Sequence, residues 1–341
     1  MIIEQNNIGI EYIAATCMKT RVDVTERLSR LLPEKKAKRL VKGTGISKLS
    51  IAPDNICTSD FCIKAAEAVF SENLSKDEVG GIIFISQTAD YLTPATAYYL
   101  QDRLNLHSNI LAFDVNLGCS GFVYGLYLSS VIANNIKRKV LLCVGDTSSR
   151  NAYPDDTSML PIAGDAGAVA VVGYQEGNTM TFNIESFGER ADCLLVARGG
   201  ARANRITDDN GNLKTDKENY CNMDGMTVMD FSLQEVPRNI NTLIGNVGKD
   251  KIDIAYLHQG NEMIVKRISE QLCGIASVPF NAKEIGNTSS ASIPLCISEL
   301  KRSNEYVPYE KVLMSGFGVG LSVASVVANM KNTVVLPTLE I

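Results

Sequence analysis

Asp114-Val115-Asn116-Leu117-Gly118-Cys119-Ser120-Gly121-Phe122 stands between a short apolar run, Ile110 to Val115, and a longer one, Phe122 to Ile136. A short β-branched run, small residues at a junction and then a long apolar stretch read as strand, tight turn and buried helix. This puts Cys119 at a helix N-terminus, where unpaired backbone N–H groups and the macrodipole favour the thiolate, the form that attacks carbonyl carbon. Gly118 and Gly121 leave out side chains where an acyl group would approach the backbone. The chain has nine cysteines, and a free cysteine is ordinarily a core residue. Cys17, Cys57, Cys62, Cys143, Cys193, Cys221, Cys273 and Cys296 take that reading; Cys119 is set apart by its place between strand and helix.

Outward from this junction, strand-like runs recur at Ile82 to Ser86, Val140 to Gly145, Ala168 to Gly173, Ile252 to Leu257, Val312 to Ser315 and Leu321 to Ala328. Helical stretches alternate with them at Ser59 to Glu72, Pro94 to Leu104, Asp230 to Val247 and Asn261 to Leu272. Such alternation predicts an α/β fold with mainly buried strands. The two halves echo one another. Gly164 to Val172 and Gly316 to Ala324 are both glycine-rich turns leading into small-residue strands, and Lys76 to Ser86 resembles Lys249 to Leu257. A long internal duplication accounts for this and divides the chain into residues 1–174 and 175–341. Ala191 to Tyr220, rich in Arg, Gly, Asn and Asp, breaks the pattern and reads as an insertion or lid.

The 341 residues are 45% hydrophobic and 21% charged, ordinary for a globular protein with a large core. A net charge of −5 gives no electrostatic case for nucleic acid. No apolar stretch is long enough to span a bilayer and no secretory leader is evident, so a cytoplasmic protein is expected. With two histidines and no CxxC pair, neither a zinc site nor a disulfide framework is expected. Basic residues cluster at Lys35, Lys36, Lys38, Arg39 and Lys42, and at Lys137 to Lys139; both clusters suit a solvated face, or a patch for an acidic partner.

Of the two histidines, His107 reads as a surface loop residue, whereas His258 follows the strand ending at Leu257, where α/β folds collect their active sites. Asn287 precedes a serine-rich helix start, Thr288 to Pro294. Cys, His and Asn in this order suit two chemistries. One is a papain-like hydrolase, whose nucleophile wants a second Cys and an aromatic nearby; here the context is Gly-Cys-Ser-Gly-Phe and the chain has no Trp. The other is acyl transfer between thioesters, in which Cys carries the acyl group and His and Asn donate hydrogen bonds to a second thioester carbonyl. The sequence favours the second.

Asp114 to Leu126, His258-Gln259-Gly260-Asn261, Gly286 to Pro294 and the Gly316 to Gly320 turn together resemble the β-ketoacyl-acyl carrier protein synthase III family of the thiolase superfamily. The resemblance runs from about Lys42 almost to the C-terminus. It implies a five-layered αβαβα fold of two pseudo-symmetric halves, a homodimer, and Cys119, His258 and Asn287 as the catalytic set. It implies that Cys119 takes an acyl primer, with an oxyanion hole built from the backbone N–H groups of Cys119, Gly318 and Val319. A malonyl-carrier protein then loses carbon dioxide between His258 and Asn287, and its enolate attacks the acyl-Cys to give a 3-oxoacyl-carrier protein. Substrates are phosphopantetheine thioesters, with no separate cofactor and no metal.

The resemblance also points to an acyl pocket at Thr88, Thr93, Met223, Met226, Met229 and Phe231, the methionines lining an adaptable slot. Members that take a coenzyme A primer usually stack its adenine on a tryptophan and hold its phosphates with arginines. This chain has no Trp, and has Gly43, Thr157 and Met263 in the corresponding places. Met and Thr cannot replace cationic phosphate contacts, so a carrier-protein-bound primer and a specialised pathway are expected. Lys266 and Arg267, with the Lys35 to Lys42 cluster, are the expected contacts for an acidic carrier protein. Two other readings keep the fold: acyl transfer from Cys119 to an alcohol or amine, and a non-catalytic partner subunit.

Overall fold

The computed structural model describes residues 1–203, 211, 217–248, 252–272 and 274–341. Cys273, part of the Ala191 to Tyr220 insertion and part of the Lys249 to Leu257 lead-in lie outside these. The principal strands are β1 (Ile2–Cys17), β2 (Val79–Ile85), β3 (Leu111–Val115), β4 (Lys139–Thr147), β5 (Asp165–Ser186), β6 (Ile254–Leu257), β7 (Val312–Gly318) and β8 (Ser322–Ala328). The helices are α1 (Glu34–Thr44), α2 (Thr58–Ser71), α3 (Thr96–Arg103), α4 (Gly121–Ile136), α5 (Gly225–Val247), α6 (Glu262–Ser269) and α7 (Ser292–Arg302).

The pairing pattern repeats. In the first half β3, β2 and β4 are parallel, β4 runs antiparallel to the start of β5, and β5 antiparallel to β1. In the second half β6 and β7 are parallel, β7 runs antiparallel to β8, and β8 antiparallel to the end of β5. The sequence reading ended β5's strand at Gly173; it continues to Ser186. Its partner changes from β4, paired as far as Val172, to β8, paired from Thr181, so one strand closes the first sheet and opens the second. β1, not anticipated as a strand, lies along β5 from Asn183 back to Ala166.

Strand residues alternate between two buried faces, which is why each strand reads as a continuous apolar run. Ile82 and Phe84 pack with α2 and α3 on the outer face of the first sheet. Ile83 and Ile85 face inward, onto a central layer of α4 and α7 shared with Tyr256, Met314 and Val326 of the second sheet. Beyond the second sheet, Phe231 and Ile240 of α5 and Val265 and Ile268 of α6 meet Ala255, Leu257, Leu313 and Val323. The layers are therefore αβαβα, the five-layered thiolase arrangement of two similar halves. No helix among the described residues is long and apolar enough to cross a membrane.

Candidate active site

Cys119 sits between β3 and α4, one residue before the helix N-cap Ser120, as its sequence context predicts. Gly121 is required by packing: a side-chain carbon there would lie 2.7 Å from Ile85 Cγ2 and 3.2 Å from Ser290 Cβ. A side chain at Gly118 would likewise overlap Gln87. These two glycines thus admit neighbouring protein groups, which corrects the expectation that they clear space for an acyl group. On the opposite side, the β7–β8 turn closes over the thiol. Gly318 has φ 144°, and a Cβ there would lie 3.0 Å from Cys119 Sγ, so only glycine fits. The backbone of the next residue, Val319, partly offsets the rise of the thiol pKa.

Cys119 is half-buried. Its proton is held more tightly than the helix terminus alone predicts. Desolvation, then the negative charge of Asp146, push the Cys119 thiol up to about 11, with the Val319 backbone and Ser289 opposing. Cys119 therefore rests as a thiol, a correction to the thiolate expected from its position. Asp146, at the end of β4, is buried and itself shifted upward by desolvation.

His258 follows β6, and its backbone N–H bonds Ser315 O of β7 at 2.8 Å. The ring is 4% exposed, Nδ1 lies 2.7 Å from Ser292 Oγ at the start of α7, and Phe317 packs edge-on at 5.5 Å between centroids. Burial lowers its pKa to about 4, a bond to the Ser289 carbonyl opposing this, so the imidazole is neutral at physiological pH. Asn287 is fixed by its own backbone, N–H to Ile162 O at 2.7 Å and C=O to Gly164 N–H at 3.0 Å. Its Oδ1 accepts the Ser289 N–H at 2.9 Å, which orients Nδ2 as the outward donor. Ser289 thus orients Asn287; the sequence reading passed over it, as it did Asp146, Ser292 and Phe317. Ser289 and Ser292 lay inside a motif already noted; nothing in the sequence marks Asp146, which ends an apolar strand.

Two family models match the chain: 3-oxoacyl-[acyl-carrier-protein] synthase III over residues 113–188 and the C-terminal part of the same enzyme over residues 245–330. The β-ketoacyl-[acyl-carrier-protein] synthase III of Clostridioides difficile is 32% identical, covering 82% of this chain and 85% of the relative. That of Pseudomonas aeruginosa is 31% identical, covering 87% and 88%. The chain belongs to the β-ketoacyl-acyl carrier protein synthase III family. The crystal structure of 3-oxoacyl-(acyl-carrier protein) synthase from Burkholderia xenovorans superposes with a TM-score of 0.90 at 29% identity, covering 100% of this chain and 99% of that one. This synthase is an acyl-transferring condensing enzyme.

The other expected site residues are scattered. Thr88 is tied to the site, its hydroxyl donating to Asp146 Oδ1 at 3.1 Å and accepting Thr147 N–H at 2.9 Å. Thr93 is exposed. The single methionine-lined slot is not formed. Met223 packs beside Met159 and Ile162, Met226 is 80% exposed, and Met229 lines a groove between α5 and α6 with Leu233, Met263 and Ile264. Phe231 is buried in the outer core against Phe187. The reason is geometric: residues three apart share one face of α5, while Met223 belongs to the strand before it. Lys266 and Arg267 are exposed on α6, Arg267 paired with Glu270, and His107 is a surface residue paired with Asp77. Cys17, Cys62, Cys143 and Cys296 are buried, whereas Cys57, Cys193 and Cys221 are half-buried. Leu194–Val196 and Cys221–Met223 form a two-stranded base to the insertion.

Proposed function

We propose that Cys119 accepts an acyl primer and that His258 and Asn287 then drive decarboxylative condensation with malonyl-carrier protein. The observation that carries this is the orientation of Asn287, whose Oδ1 is occupied by Ser289 N–H so that Nδ2 is left to donate, beside a neutral His258. A neutral donor pair suits a thioester carbonyl that becomes an enolate as carbon dioxide leaves, because preorganised donors stabilise the developing charge. The Val319 N–H, on the turn that packs against the sulfur at Gly318, is suited, with those of Cys119 and Gly318, to stabilise the oxyanion formed on acylation. Splitting the reaction at the acyl-Cys lets one site handle two thioesters in turn. Phosphopantetheine thioesters supply all the chemistry, with no cofactor and no metal.

The basic residues of α1, Lys35, Lys36, Lys38, Arg39 and Lys42, adjoin α6 with Lys266 and Arg267, since these helices pack together. That bank suits an acidic acyl carrier protein. Gly43, Thr157 and Met263 are all exposed without a cationic group, which supports a carrier-protein-bound primer over coenzyme A and, with it, a specialised pathway. Residues 1–174 and 175–341 serve as the two functional halves. β3 ends the sheet with Leu111 exposed, beside Tyr98 and Tyr99 of α3 and the exposed Tyr91 and Leu92, which favours a homodimer formed at this edge.

The test is carbon dioxide release from malonyl-carrier protein by pre-acylated enzyme. Asn287→Ala and His258→Ala are expected to lower it by about 10²-fold or more, the usual cost of losing one oxyanion donor, while acylation of Cys119 persists. Equal loss of both steps would instead support transfer of the acyl group to an alcohol or amine.

A further inference from the structure

The turn that closes over Cys119 is poorly able to hold itself. Gly316, Gly318 and Gly320 alternate along it, and glycine gives the backbone wide conformational freedom. An oxyanion donor, by contrast, stabilises developing charge because it is fixed beforehand. Two buried serines meet at this point. Ser322, which pairs with Gly318 across the β7–β8 hairpin, is 4% exposed, and Ser120, next to the nucleophile, is fully buried. Their hydroxyl oxygens lie 2.8 Å apart, and Ser322 Oγ donates to the Val319 carbonyl at 3.0 Å. A hydroxyl carries one proton, so Ser120 is the donor in the first of these bonds. A serine at a helix N-cap ordinarily accepts a bond from the first turn of its own helix. Ser120 is the N-cap of α4 and makes no such bond; its hydroxyl reaches across to the second half of the chain instead.

We propose that Ser120 and Ser322 are positioning residues for acylation: the chain of bonds from Ser120 through Ser322 to the Val319 carbonyl fixes the turn so that the Val319 N–H stands ready for the oxyanion. This rests on the reading of Cys119 as the nucleophile and of the Val319 N–H as an oxyanion donor. Peptide units are planar, so with the Val319 carbonyl anchored only the φ and ψ of Val319 lie between that anchor and its N–H. The same bonds tie the start of α4, which follows Cys119, to the turn from the second half, so nucleophile and donor keep their spacing. In acylation the sulfur bonds the primer carbonyl carbon, the bond from that carbon to the carrier sulfur breaks, and the Cys119 proton ends on the departing carrier thiol. Both serines keep their protons and their acceptors throughout.

The test is single-turnover acylation of the full chain by acetyl- and octanoyl-N-acetylcysteamine thioesters, followed over a range of thioester concentrations by intact-protein mass spectrometry. Ser322→Ala is expected to lower the maximal rate about tenfold, less than the roughly 10²-fold cost of losing a donor outright. The half-saturating concentration should not change, because the interaction is made only in the transition state. Ser120→Ala is expected to lose several-fold, and the double variant to be no slower than Ser322→Ala alone, because Ser120 acts through Ser322. An unchanged maximal rate in Ser322→Ala, a loss that appears only as a raised half-saturating concentration, or losses that multiply in the double variant would overturn the proposal. Should Ser322→Ala not fold, as judged by circular dichroism, Ser120→Ala decides alone by the same two readouts. Acylation of wild type matched by both variants would sink this inference and leave the condensing role standing, whereas a wild-type Cys119 that takes no acyl group from either thioester would count against both.

Discussion

Cys119 and His258 rest as a neutral thiol and a neutral imidazole, each held there by burial. For His258 the sign is definite. Its pKa falls from an ordinary 6.5 to about 4 on folding, so the unfolded chain binds the extra proton between those values. The stability contributed by the neutral ring is complete above pH 6.5 and is lost as pH falls toward 4, about 3 kcal/mol in all. Urea unfolding at pH 7.5 and pH 4.5 should show wild type losing about 2–3 kcal/mol more than His258→Gln, which cannot titrate; parallel losses would contradict the burial argument. At Gly318, substitution by Ala places a methyl group 3.0 Å from the sulfur at φ 144°. We expect acylation to fall by at least about 10²-fold and the thermal midpoint to fall with it, since the methyl group is both strained and crowded there, measured as single-turnover adduct formation beside a melting curve. Cys119 and His258 were candidates in the sequence because each follows a short apolar run at a strand end, whereas Asn287 was picked out by the resemblance of Gly286 to Pro294. Ser289 and Asp146 were not, because their importance lies in a backbone angle and a buried neighbour that only the folded chain brings together.

Helix α4 owes its close approach to the first sheet to Gly121, which abuts Ile85. A Val here overpacks the contact, and such insertions cost about 1–3 kcal/mol; because α4 carries Cys119 at its start, acylation should fall in parallel with stability. A Gly121→Val protein with unchanged urea midpoint would refute this packing role. The strands and helices of the central layers were readable from runs and periodicity, with boundaries shifted by a few residues. β5 and β1 were not. β5 contains Gly173, Gly177 and Asn178, residues that read as a strand end, yet it continues because β1 and β8 supply partners distant in sequence. The methionines of α5 illustrate the converse: their spacing is helical, and the structure uses one of them in a surface groove.

At the scale of the whole molecule, the repeated pairing order makes two halves from one plan, and the site forms where they meet. Cys119 comes from the first half, and His258, Asn287 and the Gly318 turn from the second. Loss of that interface should therefore remove activity before either half unfolds. The free β3 edge carries the homodimer prediction. Leu111→Lys together with Leu92→Lys, the latter 96% exposed, should convert a dimeric sedimentation profile to a monomeric one, and an unchanged dimer would put the interface elsewhere. The most direct measurement of the central claim is intact-protein mass spectrometry after exposure to acyl-carrier protein and acyl-coenzyme A thioesters, followed by malonyl-carrier protein. The account predicts one acyl adduct, absent in Cys119→Ala, that forms best from carrier protein and discharges only on addition of the malonyl partner, with carbon dioxide and a 3-oxoacyl product released. An adduct that discharges to water, an alcohol or an amine without carbon dioxide, or condensation that survives in Cys119→Ala, would contradict it.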